Sequence, residues 1–441
     1  MEETPFSEQI STKLRRIAQL AREDLTRSFL SLAHHIDVEF LKEAFRRTRK
    51  DGAPGVDGRT ARGYERKLDT HLPSLLKRFK DGDYHAPPVR RAHIPKGDGK
   101  KTRPIGVPTI EDKVLQRAVT MVLEAVYEPL FSSGSYGFRP GRSARQAAQD
   151  LWSTLMKFRG GWVIEADIES FFDSLSHTKL RSILDQRVRD GVLRRTIDKW
   201  LKAGVLDGVQ RSYPRSGTPQ GGVVSPILAN IYLHAVLDEW FATDVVPRLK
   251  GEAHLVRYAD DFVLVFRDGQ DAHLVFELLR ERFAEYDLKL HPDKTRLLRF
   301  EPPSGSTREN RDEPRSFDFL GFSHHWARSR KGFWVVKQRT APSRLTRSLH
   351  RISDWCQRHR HRPVVDQHRH ITRYLRGHDA YFGIPGNYRA LERLRYCVAR
   401  IWRRSLDRRS QKASMNWDRF QRLLARYPLP RPTLHPVVGP A

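Results

Sequence analysis

Cysteine is nearly absent: Cys356 and Cys397 are the only two in 441 residues, and no Cys-x-x-Cys pair exists. Neither a disulfide framework nor a cysteine-based zinc site is therefore expected, and both thiols are predicted to be core residues. Long apolar runs are missing as well. No stretch reaches the roughly 18 apolar residues that a membrane-spanning helix needs, and no signal-peptide core follows Met1, which predicts a soluble, cytoplasmic chain without membrane contact. Acid is in short supply. Against 80 Lys and Arg stand 52 Asp and Glu, a net charge of +28 with a pI near 10.4. Such a surplus repels itself in a compact fold unless a polyanion neutralises it, and counterion release favours phosphate contacts, so a long nucleic-acid partner is implied. The apolar share, 39%, suffices for sizeable cores spread over about two to four domains.

The first fifty residues carry apolar positions at helical spacing (Ile10, Leu14, Ile17, then Phe40, Leu41, Ala44, Phe45), and the pattern stops at the glycine-rich breaker Asp51-Gly-Ala-Pro-Gly-Val-Asp-Gly58. A second helix is predicted around Tyr64 to Lys80. Arg90-Arg-Ala-His-Ile-Pro-Lys-Gly-Asp-Gly-Lys-Lys-Thr-Arg-Pro-Ile-Gly-Val-Pro108 reads as a basic β-hairpin, either simply solvated or a flap whose Lys96 and Arg103 meet a triphosphate. An amphipathic helix with Val114, Leu115, Ala118, Val119 and Val122 on one face follows. Phe131 to Arg145 mixes aromatic rings with guanidinium groups, Arg139 and Arg142 among them; either ordinary packing or a surface on which template bases stack accounts for it.

The acids that matter lie at strand ends. Leu255-Val-Arg-Tyr-Ala-Asp-Asp-Phe-Val-Leu-Val-Phe266 is a hairpin of two apolar arms meeting at Asp260 and Asp261. Gly160-Gly-Trp-Val-Ile-Glu-Ala-Asp167 is another apolar strand ending in acid, and one shared sheet would bring the three carboxylates together. Gly217-Thr-Pro-Gln-Gly-Gly-Val-Val-Ser-Pro226 gives a glycine-rich turn with Ser225 as N-cap and Pro226 at N1 of a helix whose buried stripe is Leu233, Leu237, Trp240 and Phe241. Beyond it, Ala272 to Glu285 is helical, a strand begins within His291 to Phe300, Phe317 to Phe322 makes another, and Pro302 to Pro314 is an exposed loop. From Lys337 the character turns to helices with arginine on their open faces: 24 Lys and Arg against 6 Asp and Glu, or +18 of the +28. A short helix, Trp417 to Leu424, precedes Pro428-Leu-Pro-Arg-Pro432. Clustered carboxylates suit hard divalent cations, and two ions about 4 Å apart would serve in-line nucleotidyl transfer.

In this order, Ile94-Pro-Lys-Gly-Asp-Gly, Tyr136-Gly-Phe-Arg-Pro, Asp167 with Phe171-Phe172, Pro219-Gln-Gly-Gly-Val-Val-Ser-Pro226, Tyr258-Ala-Asp-Asp261, Lys294 and Phe319-Leu-Gly-Phe322 closely resemble a reverse transcriptase. Gly55-Val-Asp-Gly58, the Gln-Gly-x-x-x-Ser-Pro motif and the end Arg408-Arg-Ser-Gln-Lys412 with Trp417 resemble, more narrowly, the group II intron-encoded reverse transcriptase/maturases. The resemblance implies an α/β (α+β) right-hand polymerase: an N-terminal extension and the start of the fingers (1–86), fingers (87–160), an antiparallel-sheet palm (161–335), a helical thumb that doubles as the maturase X domain (336–412) and a short RNA/DNA-binding tail (413–441). It implies Asp167, Asp260 and Asp261 as ligands of two Mg²⁺ ions, for which Mn²⁺ would substitute, with Asp261 the least direct of the three. Lys96, Arg103, Gln220 and Lys294 would meet the incoming nucleotide, Phe172 would exclude a ribose 2′-hydroxyl, and Tyr258, Gly321, Arg139 and Arg142 would line primer and template. The implied partners are group II intron RNA, an RNA template with its DNA primer, target DNA and dNTPs, and the implied activity is RNA-directed DNA synthesis by a monomer or homodimer in the bacterial cytosol or nucleoid. A domesticated reverse transcriptase of repair or phage defence, and an RNA-binding splicing cofactor with an idle polymerase site, are the alternatives. With no Cys-x-x-Cys pair after Leu434, the zinc-supported endonuclease of many relatives is expected to be missing.

Overall fold

The computed structural model describes residues 5–95, 102–208, 210–213, 216–218, 221–303, 316–409 and 414–435. Lys96 and Gln220, both expected on the nucleotide, lie outside them, as does most of the loop from Pro302 to Pro314.

Helices α1 (Pro5–Glu23), α2 (Val38–Arg47) and α3 (Ala61–Glu65) pack on a central helix, α5 (Ile110–Tyr127), and α4 (Leu68–Asp81) packs on α2 and α3. Asp37 and Thr109 cap α2 and α5, each side chain accepting from the backbone N–H three residues on. The one-sided stripe predicted for α5 is corrected. Met121, Leu123, Ala125 and Val126 are buried along with Val114 to Val122, because α1 and α2 cover one side of the helix and α10 (Ser225–Leu233) covers another. The predicted helix from Tyr64 to Lys80 is two helices that part at Arg66 and Lys67. The basic hairpin forms as read: β1 (Val89–Pro95) and β2 (Thr102–Val107) pair antiparallel, and β1 adds β4 (Val205–Asp207) and β5 (Gln210–Ser212) on its other edge.

The second sheet runs in the order β6 (Ala253–Tyr258), β7 (Asp261–Phe266), β3 (Trp162–Ala166), β8 (Arg296–Arg299), antiparallel throughout. Both faces are covered. Ile164, Leu255, Phe262, Leu264 and Phe266 face the main helical core, with α8 (His177–Arg187), α9 (Gly191–Leu201) and α11 (Gly269–Glu285), while Val163, Val256, Val263, Val265 and Leu298 face α6 (Ala144–Phe158). Two-sided burial is why the central strand β7 reads as an unbroken apolar run from Phe262 to Phe266. The mixed helix-and-sheet architecture is that of the α/β right hand which the resemblance implies, and this antiparallel sheet stands where its palm is expected.

Three local readings change. The Ser225 cap lies one residue earlier, at Val224, so Ser225 is already helical; past Leu233 the helix continues in π-helical turns over His234–Glu239 and Phe241–Val245. Phe317 to Phe322 is not one strand. Leu320 and Gly321 both take positive φ, +50° and +82°, and form the two-residue turn between β9 (Ser316–Phe319) and β10 (Phe322–Arg328). The helical region expected from residue 336 starts at Pro342, because β11 (Trp334–Thr340) completes a sheet with β10 and β9.

The basic helices α12 (Pro342–Arg358), α13 (Val364–Phe382) and α14 (Tyr388–Asp407) enclose a core of Ile352, Cys356, Ile371, Leu375, Leu394, Val398 and Trp402. The tail is corrected as a separate unit: α15 (Trp417–Arg426) inserts Phe420 into that core and Leu429 follows it. Cys356 is buried there, and Cys397 is half-buried. Among the described residues no helix is long and apolar enough to cross a membrane.

Candidate active site

Tyr258 and Asp261 are the last paired residues of β6 and β7, so Ala259 and Asp260 form the whole turn. Ala259 sits at φ +58°, a left-handed conformation that costs a residue with a Cβ about 1 kcal/mol and persists only where neighbours enforce it. Those neighbours come from the Tyr136-Gly-Phe-Arg segment. Arg257 N–H donates to Gly134 O and Tyr136 N–H to Arg257 O, both at 2.8 Å, which lays residues 134–137 alongside β6. Contact is so close that a Cβ on Gly137 would stand 2.2 Å from the Ala259 nitrogen. Arg257 itself is fully buried. Its Nε and Nη2 grip both oxygens of buried Asp238 at 2.7 and 2.5 Å, and Nη1 donates to Asn230 Oδ1 and Ala259 O at 3.1 and 3.2 Å. The acid-bearing turn is thus fixed from beneath by a charge pair and from the side by a glycine contact.

Asp167 follows β3 directly. Since Ala166 pairs with Phe262, Asp167 emerges at the same sheet edge as Asp261. Its carbonyl accepts from His291 N–H at 2.8 Å, which ties it to the segment before β8. All three carboxylates line one cleft of about 1070 Å³, together with Arg103, Phe172, Lys294 and Gly321. Asp318, Arg344 and Arg347 line it too. Phe172 stands edge-on to Phe171, with ring centres 5.4 Å apart. Tyr258 is half-buried, 6.5 Å from the Phe138 ring.

Low-dielectric walls raise the Asp260 carboxyl, and the Asp167 charge raises it further. The same burial, with Asp260 and then Asp167 as like charges, pushes Asp261 up to about 7. Lys294 supplies positive charge here: its ammonium, on a side chain that lines the same cleft, is ion-paired to Asp167 Oδ2. Among the described residues no three His, Cys, Asp or Glu side chains converge at metal-ligating distance. The donor chemistry nonetheless fits a hard divalent ion, since the acids facing the cleft repel one another and offer only carboxylate oxygens, which such an ion neutralises and prefers.

A family model described as reverse transcriptase (RNA-dependent DNA polymerase) matches residues 94–324, more than half the chain, a range that includes all three acids of the cleft. The chain belongs to that family. The group II intron-encoded protein LtrA of Lactococcus lactis subsp. cremoris is 37% identical over 227 residues, 50% of this chain and 37% of LtrA. Protein YkfC of Escherichia coli (strain K12) is 35% identical over 326 residues, 65% of this chain and 84% of YkfC. An uncharacterised 91 kDa protein in the cob intron of Schizosaccharomyces pombe is 42% identical over 182 residues, 41% of this chain and 21% of that protein. The chain thus spans well under two thirds of LtrA and most of YkfC. Reverse transcriptases as a family use divalent metal ions.

Of the four residues that the family resemblance places on primer or template, Gly321 lines this cleft, whereas Tyr258, Arg139 and Arg142 do not. Arg139 is corrected to a structural role: buried, it donates to both oxygens of Glu128 at 3.1 and 3.2 Å and to the carbonyls of Ser132 and Ser135 at 2.6 Å, leaving nothing to offer a nucleic acid. Arg142 lies over the Tyr136 ring, 5.5 Å from its centre, and does not line the cleft either. Sequence reasoning overlooked Arg257 and Asp238. The available signal was a charged residue inside an otherwise apolar strand, which is rarely tolerated without a buried partner.

Proposed function

We propose that the chain is an RNA-directed DNA polymerase that extends a DNA primer on an RNA template, and that it serves a group II intron RNA. The observation that carries the reading is the meeting of Asp167, Asp260 and Asp261 at one edge of the palm sheet, facing a cleft that also holds Arg103 and Phe172. Asp167 and Asp260 are the intended ligands of two Mg²⁺ ions, or Mn²⁺ in their stead, with Asp261 more peripheral. When bound, such ions lower the pKa of the primer 3′-hydroxyl and neutralise the leaving pyrophosphate. The chain's own residues do the rest. Arg103 presents a planar fork to phosphate oxygens, and the turn at Gly321 lets the primer end approach the backbone. Lys294 joins the triphosphate once its pair with Asp167 opens. Lys96 and Gln220 are assigned to the nucleotide by resemblance alone.

Phe172 is assigned as the sugar gate. Phe172→Ala is expected to raise ribonucleotide incorporation on an RNA template by about a hundredfold, since a ring that occupies the 2′ position rejects a hydroxyl by steric clash worth about 3 kcal/mol. Primer extension with competing dNTP and rNTP measures it, and an unchanged preference removes the gate.

Service to an intron rests on the group II intron-encoded protein among the relatives and on the +18 borne by residues 337–441, a charge that the polymerase cleft alone does not need. The intron transcript, the template–primer duplex and target DNA are the proposed polyanions. Adding the purified protein to the intron transcript that flanks its gene, at Mg²⁺ too low for self-splicing, is expected to restore splicing; no acceleration, or no intron beside the gene, favours the domesticated alternative.

A further inference from the structure

The dipeptide Pro219-Gln220 is flanked by residues that pack behind two walls of the proposed nucleotide site, Ile105 and Phe172. Before it, Thr218 N–H donates to Phe172 O at 2.7 Å, and Gly217 is so tight against the same carbonyl that a Cβ would stand 2.7 Å from it. After it, Gly221 lies against β2, where a Cβ would come within 2.4 Å of both Gly106 O and Ile105 Cγ2. Ile105 and Phe172 both line the cleft. The remaining anchor is a side chain. Gln116 Oε1 accepts from Val223 N–H at 2.7 Å and from Val224 N–H at 3.3 Å.

An amide serves as an acceptor on one side only if something fixes which way it faces. Here Asp112, one helical turn earlier on α5, does so. Gln116 Nε2 donates to Asp112 Oδ2 at 3.1 Å, and Asp112 Oδ1 accepts from Trp200 Nε1 at 2.7 Å and from the Tyr84 hydroxyl. Asp112, Gln116, Tyr84 and Trp200 are each 2 or 3% exposed, so no water competes for these bonds. Burial pushes Asp112 up to about 6, and with three donors aimed at it the carboxylate is an acceptor at neutral pH.

We propose that Asp112 and Gln116 form a positioning relay: Asp112 sets the orientation of the Gln116 amide, and the amide holds residues 223 and 224 so that Gly221 stays packed behind Ile105 and keeps that wall of the cleft fixed for the incoming nucleotide. Neither residue reaches the cleft, so both act through the loop. The relay rests on the polymerase reading given above.

The donor–acceptor order supplies a test that packing does not mimic. In Asp112→Asn the new amide keeps its oxygen towards Tyr84 and Trp200 only by turning its NH₂ towards Gln116, which must then rotate and set its own NH₂ against the N–H groups of Val223 and Val224. In Asp112→Asn/Gln116→Glu the order is whole again, because the amide introduced at position 112 donates to the carboxylate introduced at position 116, and that carboxylate accepts from the loop, at unchanged net charge. Asp112→Asn and Gln116→Met are each expected to raise KM for dNTP about tenfold, the loss of one buried hydrogen-bond set. Their kcat and affinity for template–primer stay within about twofold, and the double variant returns KM to within about twofold of wild type. Single variants with wild-type KM, or a folded double variant as impaired as Asp112→Asn, overturn the relay. Absence of any cDNA from wild-type protein overturns the polymerase reading instead.

Discussion

Asp260→Ala is expected to lower Mg²⁺-dependent cDNA synthesis by roughly a thousandfold or more, a loss of about 4 kcal/mol of transition-state stabilisation, while RNA binding at a given salt concentration stays near wild type. The asymmetry follows from where the charges lie. Binding to a polyanion is dominated by Lys and Arg contacts to phosphate, and residues 337–441 carry +18 of the net +28, whereas Asp260 occupies a two-residue turn inside the cleft. Fold stability supplies the control. The Asp260 carboxyl is raised above its ordinary value by burial and by Asp167, so its ionisation opposes folding: the acid's stabilising influence is greatest at low pH and is lost as pH rises through the folded-state value. Asp260→Asn is accordingly expected to melt no lower than wild type in the absence of divalent ions, yet to be as inactive as Asp260→Ala. Single-turnover primer extension, filter binding and thermal melts on the same preparations measure the three quantities. Synthesis at the wild-type rate by either variant dismisses the site assignment; loss of melting temperature in parallel with activity makes Asp260 a structural residue.

Much of this site was legible because its chemistry is carried by residues that local sequence also marks. Asp167 ends an apolar strand and Asp260-Asp261 interrupts one, and strands so apolar pack in one sheet, which brings their ends together. The hairpin of β1 and β2 was marked by its glycine- and lysine-rich centre. What local pattern does not encode is the second face of an element. The stripe on α5 gave no sign that its other side would be buried by α10; a run such as Phe317 to Phe322 looks like a strand until the positive φ of Leu320 and Gly321 folds it into a hairpin. The same limit explains Arg139. An arginine among aromatics has the composition of a nucleic-acid surface, and only Glu128, eleven residues earlier in the chain, turns it into a buried strut. Gln116 was invisible for the converse reason: its partners, Val223 and Val224, offer backbone groups that carry no side-chain signature.

Arg257 brings that long-range dependence to its largest energetic consequence. Arg257→Met is expected to destabilise the protein by about 3–5 kcal/mol in a denaturant melt, because it leaves the Asp238 carboxylate buried without its guanidinium partner, with only the His234 ring, 3.6 Å away, beside it. Asp238 is 3% exposed and is held below the ordinary carboxylate range chiefly by the neighbouring Arg257 charge, against the opposing cost of its burial. Removing both charges is a different matter, since a buried pair replaced by apolar groups of similar volume is often neutral, and Arg257→Met/Asp238→Leu is expected to recover most of the lost stability. Its activity is not expected to follow. Arg257 also donates to Ala259 O and to Asn230 Oδ1, and Asn230 in turn donates to Gly137 O at 2.7 Å, so the guanidinium joins the acid-bearing turn to the segment that buttresses it. With that link gone, Ala259 is free to leave its left-handed conformation, and Asp260 shifts relative to Asp167. The double variant should therefore fold, bind RNA and synthesise cDNA at least about tenfold more slowly than wild type, as a displacement on the order of 1 Å suffices for such a loss. If the stable double variant polymerises at the wild-type rate, the charge pair serves the fold alone and the turn is held without it.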